Sequence, residues 1–294
     1  MRTLIVNQNN VVSGTFNDTY TYRFPAGAVE FKDDQVAVSS VSIYYAWFNI
    51  NQSLYNNNSF TYTWTDGITY PVVFPNGGYY TISDLNAYLQ SVMFTNKHYL
   101  FNTTTGKILY FLELLENAIF YAVQYNAFVV PTALPVGFSL PAGATWALPA
   151  TATTPQITIT TNNFGSLIGF TAGTYPPAVP QTSTYSLTST ITPQLSPVSS
   201  LVMQCTLLNN KYANPTTLLH SFPPNTTFGS LITSEPSELV FVDIQDGQYT
   251  DFTITFRDQL LRTVDIKDAN IVVMLVIRNK NEYTMKALDL KANP

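Results

Sequence analysis

"QVAVSSVSIYYAWFNI", residues 35 to 50, decides the class of fold. It is sixteen residues of β-branched, aromatic and small side chains without Pro or Gly, and it reads as one long strand or two joined by a bulge. The chain on either side repeats the signal. "TYTYRF" (19–24) alternates Thr and Tyr at period two, as a half-buried strand does. "FTYTW" (60–64) and "ITYPVVF" (68–74) flank Asp66-Gly67 and read as a hairpin with a two-residue type I′ turn. "GKILYFLE" (106–113) and "AIFYAVQYNAFVV" (118–130) read as a second hairpin turning at Glu116-Asn117. "QITITT" (156–161), "SLVMQCTLL" (200–208), "TLLHSF" (217–222), "ELVFVDI" (238–244), "DFTITFRD" (251–258) and "NIVVMLVIR" (270–278) continue the pattern.

One stretch breaks it. In "FPNGGYYTISDLNAYLQSVMF" (74–94), Ile82, Leu85, Tyr88, Leu89, Val92 and Met93 recur at spacings of three and four. That is an amphipathic helix of about three turns, started by Ser83 or by Thr81 with Asp84 in a capping box. Leu85, Leu89 and Val92 are its expected buried stripe, laid along an open sheet edge that would otherwise pair with foreign strands. "NNFGSLIGF" (162–170) suggests a second, shorter helical turn. Residues 131–155 turn to Pro, Ala, Gly and Thr, a long loop insertion, and "TAGTYPPAVPQTSTYSL" is a further Pro-rich connection. Eight to eleven strands with long connections and one or two short helices describe an all-β Greek-key sandwich, of which the jelly roll is the commonest large version with this strand count. The expectation is one domain over 1–294, with a flexible N-terminal arm over about 1–15 and a C-terminal tail over about 280–294.

Composition narrows the function classes. Charged residues are 11% of the 294 and aromatics 14%, with 19 Tyr and 19 Phe. A soluble domain usually carries about 25% charge, so this surface is built from Asn, Thr, Ser and Gln, a composition suited to protein contacts. The net charge of −5 and the scattered bases give no clustered footprint for phosphate, so direct nucleic-acid binding is not expected. No apolar run approaches the 18 residues of a membrane span, and "MRTLIVNQNN" is too short an apolar run for a signal peptide. Asn-X-Ser/Thr triplets at Asn17, Asn51, Asn57, Asn102 and Asn225 follow from an Asn- and Thr-rich composition.

Catalytic signatures are missing. His98 in "TNKHYL" is expected on a solvent-facing turn, His220 on a strand, and the single cysteine, Cys205, in the core. A zinc site collects three or four such ligands at close spacing. "GSLIG" (165–169) and "FGS" (228–230) lack the Gly-X-Ser-X-Gly pattern, and neither lies beside a histidine in sequence. The acids Asp33-Asp34, Glu113 with Glu116, and Asp243 with Asp246 could form a glycosidase pair, yet each reads as a turn or strand-end residue. Asp33-Asp34 alone supplies too few oxygens for calcium. The sequence therefore nominates no catalytic, cofactor-binding or metal residues and no cofactor. It assigns no interface side chains.

Four segments in order resemble a family. "DDQVAVSSVSIYYAWFNI" (33–50), "FPNGGYYTISDLNAYLQ" (74–90), "NNFGSLIGFTAGTYP" (162–176) and "FTITFRDQLLRTVDIKDANIVVMLVIR" (252–278) are together similar to penton-type, single jelly-roll minor capsid proteins of virophages and related icosahedral double-stranded DNA viruses. The resemblance implies a structural virion protein and not an enzyme: a penton subunit forming homopentamers at the fivefold vertices, assembled inside the host cell. Its implied partners are further copies of itself, the neighbouring major capsid protein trimers and other minor capsid proteins. The Pro/Ala-rich 131–155 segment departs from the family pattern. Two other readings stand beside this one: a receptor- or glycan-binding jelly-roll module of a viral spike or fibre, and a carbohydrate-active hydrolase. The first expects a trimer or a fibrous stalk, the second a cleft with paired acids.

Overall fold

The structure is a computed structural model that describes residues 1–281. The chain divides into two compact units, Met1–Trp47 with Val198–Pro294, and Phe48–Pro197. The second is inserted into the first between two of its strands. The sequence reading expected one domain with a loop insertion at 131–155. The described residues instead place that segment inside a 150-residue folded insertion with its own core.

Eight strands organise the first unit: β1 (Arg2–Val6), β2 (Thr19–Arg23), β3 (Asp34–Tyr44), β4 (Leu201–Cys205), β5 (Leu218–Phe222), β6 (Leu231–Ser234), β7 (Asp251–Asp258) and β8 (Val272–Asn279). They form two antiparallel sheets, ordered β1-β8-β3-β6 and β5-β4-β7-β2. The first strand thus pairs with the eighth, the second with the seventh, the third with the sixth and the fourth with the fifth. This is the wrapped order of an eight-stranded jelly roll, and the all-β, single jelly-roll reading holds for this unit. The inward positions are apolar: Val36, Val38, Val41 and Ile43 of β3, Val273, Leu275 and Ile277 of β8, and Phe252, Ile254 and Phe256 of β7 are all buried. Tyr20 of β2 meets Phe256 edge to face, ring centroids 6.1 Å apart.

Residues 35–50 resolve one alternative and revise the extent. β3 is a single strand with an irregularity, since Met274 faces Ser40 while Leu275 faces Val38 and Ser39 is left over. It ends at Tyr44, and two isolated bridges follow, Trp47 to Ile266 and Ile50 to Gly77. A bulge resets the alternation, so Val41 and Val38 both point inward although they are three residues apart. The N-terminus is corrected as well. Residues 2–6, expected in a flexible arm, are strand β1 in register with β8. The expected C-terminal tail lies, from residue 282, outside the described residues.

The insertion has three helices, α1 (Gln52–Tyr55), α2 (Ile82–Thr95) and α3 (Phe164–Ile168), the last of them the turn expected at 162–170. Its strands make a four-stranded sheet ordered 173–175, 156–159, 59–63, 69–73 and two three-stranded sheets, 185–188, 122–127, 112–117 and 138–139, 99–102, 108–110. Thr81 caps α2: its Oγ1 accepts the Asp84 N–H at 3.1 Å while the Asp84 carboxylate accepts the Thr81 N–H at 3.0 Å. Ile82, Leu85, Leu89 and Met93 are buried; Val92, expected in the stripe, is half-buried and Met93 takes its place. α2 does serve sheet edges, and it serves two. Asn86 Oδ1 accepts the outward N–H of Leu114 on edge strand 112–117, and the Tyr88 hydroxyl donates to the Val73 carbonyl on edge strand 69–73.

Three expected loops are different. The 60–74 hairpin turns through a type I-like loop in which Gly67 at φ +80° donates to the Trp64 carbonyl; Asp66 keeps a negative φ, so the two-residue I′ turn is not formed. The second hairpin pairs 112–117 with 122–127 and turns at 118–121, two residues later than expected, while 108–110 pairs with 99–102. Residues 131–155 are folded: Phe138 and Ser139 pair with Asn102 and Phe101, Val130 bridges Thr153, and the buried Trp146 indole donates to the Lys97 carbonyl at 2.6 Å. The Pro-rich stretch after residue 171 likewise contains the strands 173–175 and 185–188.

Buried asparagines hold the irregular backbone of the insertion. Asn49, fully buried, donates to the carbonyls of Tyr79 and Leu195 and accepts the Tyr79 N–H. Asn57 accepts the Asn51 N–H and donates to the Asn49 carbonyl, while Asn51 caps α1 by accepting from Ser53 and Leu54. Two of the glycosylation triplets are therefore buried structural residues. Replacing Asn49 with Ala leaves a buried N–H and two carbonyls unpaired, and it is expected to lower unfolding stability by about 2–4 kcal/mol. Urea denaturation of wild type and variant measures the difference.

Candidate functional site

The cysteine and both histidines have structural occupations. Cys205 on β4 is buried, and burial pushes its thiol up to about 12, away from thiolate chemistry. His220 on β5 is half-buried, its Nε2 3.2 Å from Ser234 Oγ, and desolvation lowers its pKa. His98, expected toward solvent, is in the core of the insertion. Its ring lies parallel to Trp64 at 4.4 Å, with the ring of Tyr70 edge-on at 4.6 Å. The Tyr62 hydroxyl accepts from Asn96 Nδ2 at 2.8 Å and sits 2.7 Å from His98 Nδ1. The sequence signal was present in the two aromatics of "TYTWT": a histidine surrounded by Trp and Tyr after folding is a packing residue, and only tertiary contacts bring them together.

The acids named from the sequence each have a local partner or a strand position of their own. Glu113 and Glu116 are three apart on one strand, hence on opposite faces; Glu113 accepts from Asn126 Nδ2 at 3.1 Å. Asp34 accepts the Lys32 N–H and Asp246 accepts the Asp33 N–H. Asp243 accepts from Gln35 and pairs with Lys280 at 2.8 Å, contacts that hold its carboxyl below the usual range. Asp33, Asp243, Asp246 and Lys280 line an open cleft of about 750 Å³ in the jelly-roll unit, together with Lys211 and Tyr212. Among the described residues no group of three or more His, Cys, Asp or Glu is placed to hold a metal ion. No described helix is long and apolar enough to cross a membrane.

The distinctive surface is one outer face of the jelly roll. The face of sheet β5-β4-β7-β2 presents Thr19, Thr21, Thr253, Thr255 and Gln204, with Thr21 and Thr253 hydroxyls 3.0 Å apart and Arg257 paired to Asp18 at 2.6 Å. The opposite face, on sheet β1-β8-β3-β6, presents Ile5, Val272, Leu231 and Tyr44, each 39–50% exposed. Register places Ile5 across from Met274, Val272 across from Ser42 and Leu231 across from Tyr44. Ser40 and Thr233 fill the rest, so no Asp, Glu, Lys or Arg interrupts the central part of this face. Charge returns at its end, where Arg278 donates to Gln35 and lies over the Phe241 ring at 3.6 Å. Alternation alone could not find this face, because β8 reads "VVMLVIR" and is apolar on both sides.

A second apolar element belongs to the insertion. At the tip of the 112–127 hairpin, Ile119, Phe120 and Tyr121 are 85%, 70% and 80% exposed, and Tyr121 has φ +48°.

No family model matches the sequence, and no curated protein matches it. Among solved structures, the chain is similar to the selenomethionine-labelled mavirus penton protein, with 10% identity over 94% of this chain and 96% of that one, at a TM-score of 0.45. It is also similar to a chain of the Sputnik virophage solved by cryo-electron microscopy, with 13% identity over 96% of this chain and 99% of that one, at a TM-score of 0.38.

The His98 environment makes a pH prediction. Burial lowers its pKa to about 4, with Asp66 opposing weakly. The folded state keeps the ring neutral, whereas the unfolded chain takes a proton near pH 6.5. Stability contributed by the neutral ring is present above pH 6.5 and is lost as pH falls from about 6.5 to about 4, by about 3 kcal/mol in all. His98→Gln should lack this part of the decline, read as the difference between the two proteins' urea midpoints at pH 7 and pH 4.

Proposed function

We propose that this protein is a structural subunit of an icosahedral virus shell, and more specifically its vertex subunit, closing a homopentamer. The observation that carries the reading is the uncharged apolar outer face of sheet β1-β8-β3-β6 beside a threonine-rich opposite face. Four large apolar side chains on one flat face cost water contact in a monomer and are stabilising once a partner covers them. The sequence resemblance to penton-type minor capsid proteins supports the same reading, as do a surface poor in charge and a jelly roll in which the chain's first and last sheet strands pair.

A C5 ring is built from heterologous contacts, one face of each copy meeting a different face of the next. The two sides of this jelly roll differ as such contacts require. In this reading the apolar face meets a neighbour, and the neighbouring shell trimers and minor proteins contact what the ring leaves uncovered. The location that follows is the virion.

The test is solution mass. Five copies of the 32.7 kDa chain give about 164 kDa by light scattering, with a fivefold ring in negative-stain images. Ile5→Lys combined with Leu231→Lys should return the mass to that of a single chain while leaving the circular dichroism spectrum unchanged, since both side chains are exposed. A clean trimer, or association that survives the double substitution, overturns the proposal.

A further inference from the structure

We propose that the insertion carries a binding site for neutral carbohydrate, in a cavity of about 350 Å³ between the 112–127 hairpin, the start of α2 and the segment around Pro193. Tyr80, Ile82, Leu195 and Pro193 supply apolar wall, Tyr121 a ring at the mouth, and Glu116, Asn117 and Thr192 polar groups.

The lining selects the ligand class. No Lys, Arg or His lines the cavity while one carboxylate does, so phosphates, sulfated sugars and sialic acids meet repulsion without a compensating cation. A purely apolar ligand would displace water from the exposed Glu116 carboxylate and from the Asn117 amide, one N–H of which donates to Gln124 Oε1 at 3.4 Å, without replacing it. A pyranose satisfies both requirements: its C–H face packs on a tyrosine ring, and its paired hydroxyls donate to a carboxylate and accept from an amide. The volume suits one or two hexose units, at the low end of small-molecule sites.

Two features show that these groups are available. The side chains of Glu116, Tyr121 and Thr192 have no hydrogen-bond or ion-pair partner among the described residues. Tyr121 is held in the left-handed region at φ +48°, where a bulky side chain is uncommon and costs about 1 kcal/mol or more. The turn thereby sets the direction of the Tyr121 Cα–Cβ bond, and an aromatic with two χ angles loses little freedom on binding. The inference does not depend on the ring-closure reading, because the lining belongs wholly to the insertion.

The experiment is saturation-transfer difference NMR on the full-length chain. Its probes are the methyl glycosides of glucose, galactose, mannose, N-acetylglucosamine and N-acetylneuraminic acid, with lactose, maltose and cellobiose. At least one neutral probe is expected to bind and the N-acetylneuraminic acid glycoside to fail. Tyr121→Ala and Glu116→Gln should each weaken the neutral probe by about tenfold, the scale of one lost ring contact or charge-assisted hydrogen bond. Tyr212→Ala, at a fully exposed tyrosine of the other unit, should change nothing. No binding by any neutral probe, binding of the acidic glycoside alone, or affinity unchanged in both cavity variants overturns the proposal.

Discussion

A β-sheet has two edges, and each edge strand carries N–H and C=O groups that must find partners or water. Most of this structure answers that constraint. In the jelly-roll unit the chain wraps so that its first strand pairs with its eighth and its second with its seventh, joining segments some 230 to 275 residues apart in number. In the insertion the sheets are short, and α2 takes over the task. Asn86 meets an edge N–H of one sheet and Tyr88 an edge carbonyl of another. The longest of the insertion's three helices, in this mostly β chain, is thus a fastening between sheet edges, and its capping box fixes where it starts.

The same constraint separates the two sides of the jelly roll. Once backbone groups are paired within the sheets, the character of each outer face is set by alternate side chains alone. One face became threonine-rich, with hydroxyls that bond to each other and to water. The other kept Ile5, Val272, Leu231 and Tyr44 without a charge among them. A free monomer gains nothing from that choice, since a lysine at any of these positions would leave the core untouched. An assembled subunit does gain, and low overall charge then becomes a property of contact surfaces.

Polar groups inside the insertion follow a complementary logic. Irregular backbone cannot satisfy itself by ladder hydrogen bonds, and Asn49, Asn51 and Asn57 supply both donors and acceptors where it turns inward. His98 joins an aromatic cluster as a neutral ring with its nitrogen matched to Tyr62. These residues resemble glycosylation triplets and a surface histidine when seen in one dimension. In three dimensions they are the insertion's internal hydrogen-bond frame.

The sequence by itself determined the fold class, six of the eight jelly-roll strands and the presence of α2, because periods of two and of three to four are local consequences of backbone geometry. Strand β6 went unread, and of the strand expected over 238–244 only Val242–Asp243 pairs. It also determined that Cys205 belongs to the core, since it sits at an inward position of an apolar strand. Tertiary structure decided that residues 48 to 197 form a second compact unit, because a domain boundary is a matter of which contacts cross it. It decided that residues 2 to 6 are a strand, since five residues pair only when β8 lies beside them. It decided the burial of His98 and of the asparagines, which depends on neighbours distant in sequence. It decided as well which of β8's two apolar faces remained outside, a question of which side the opposing sheet covers.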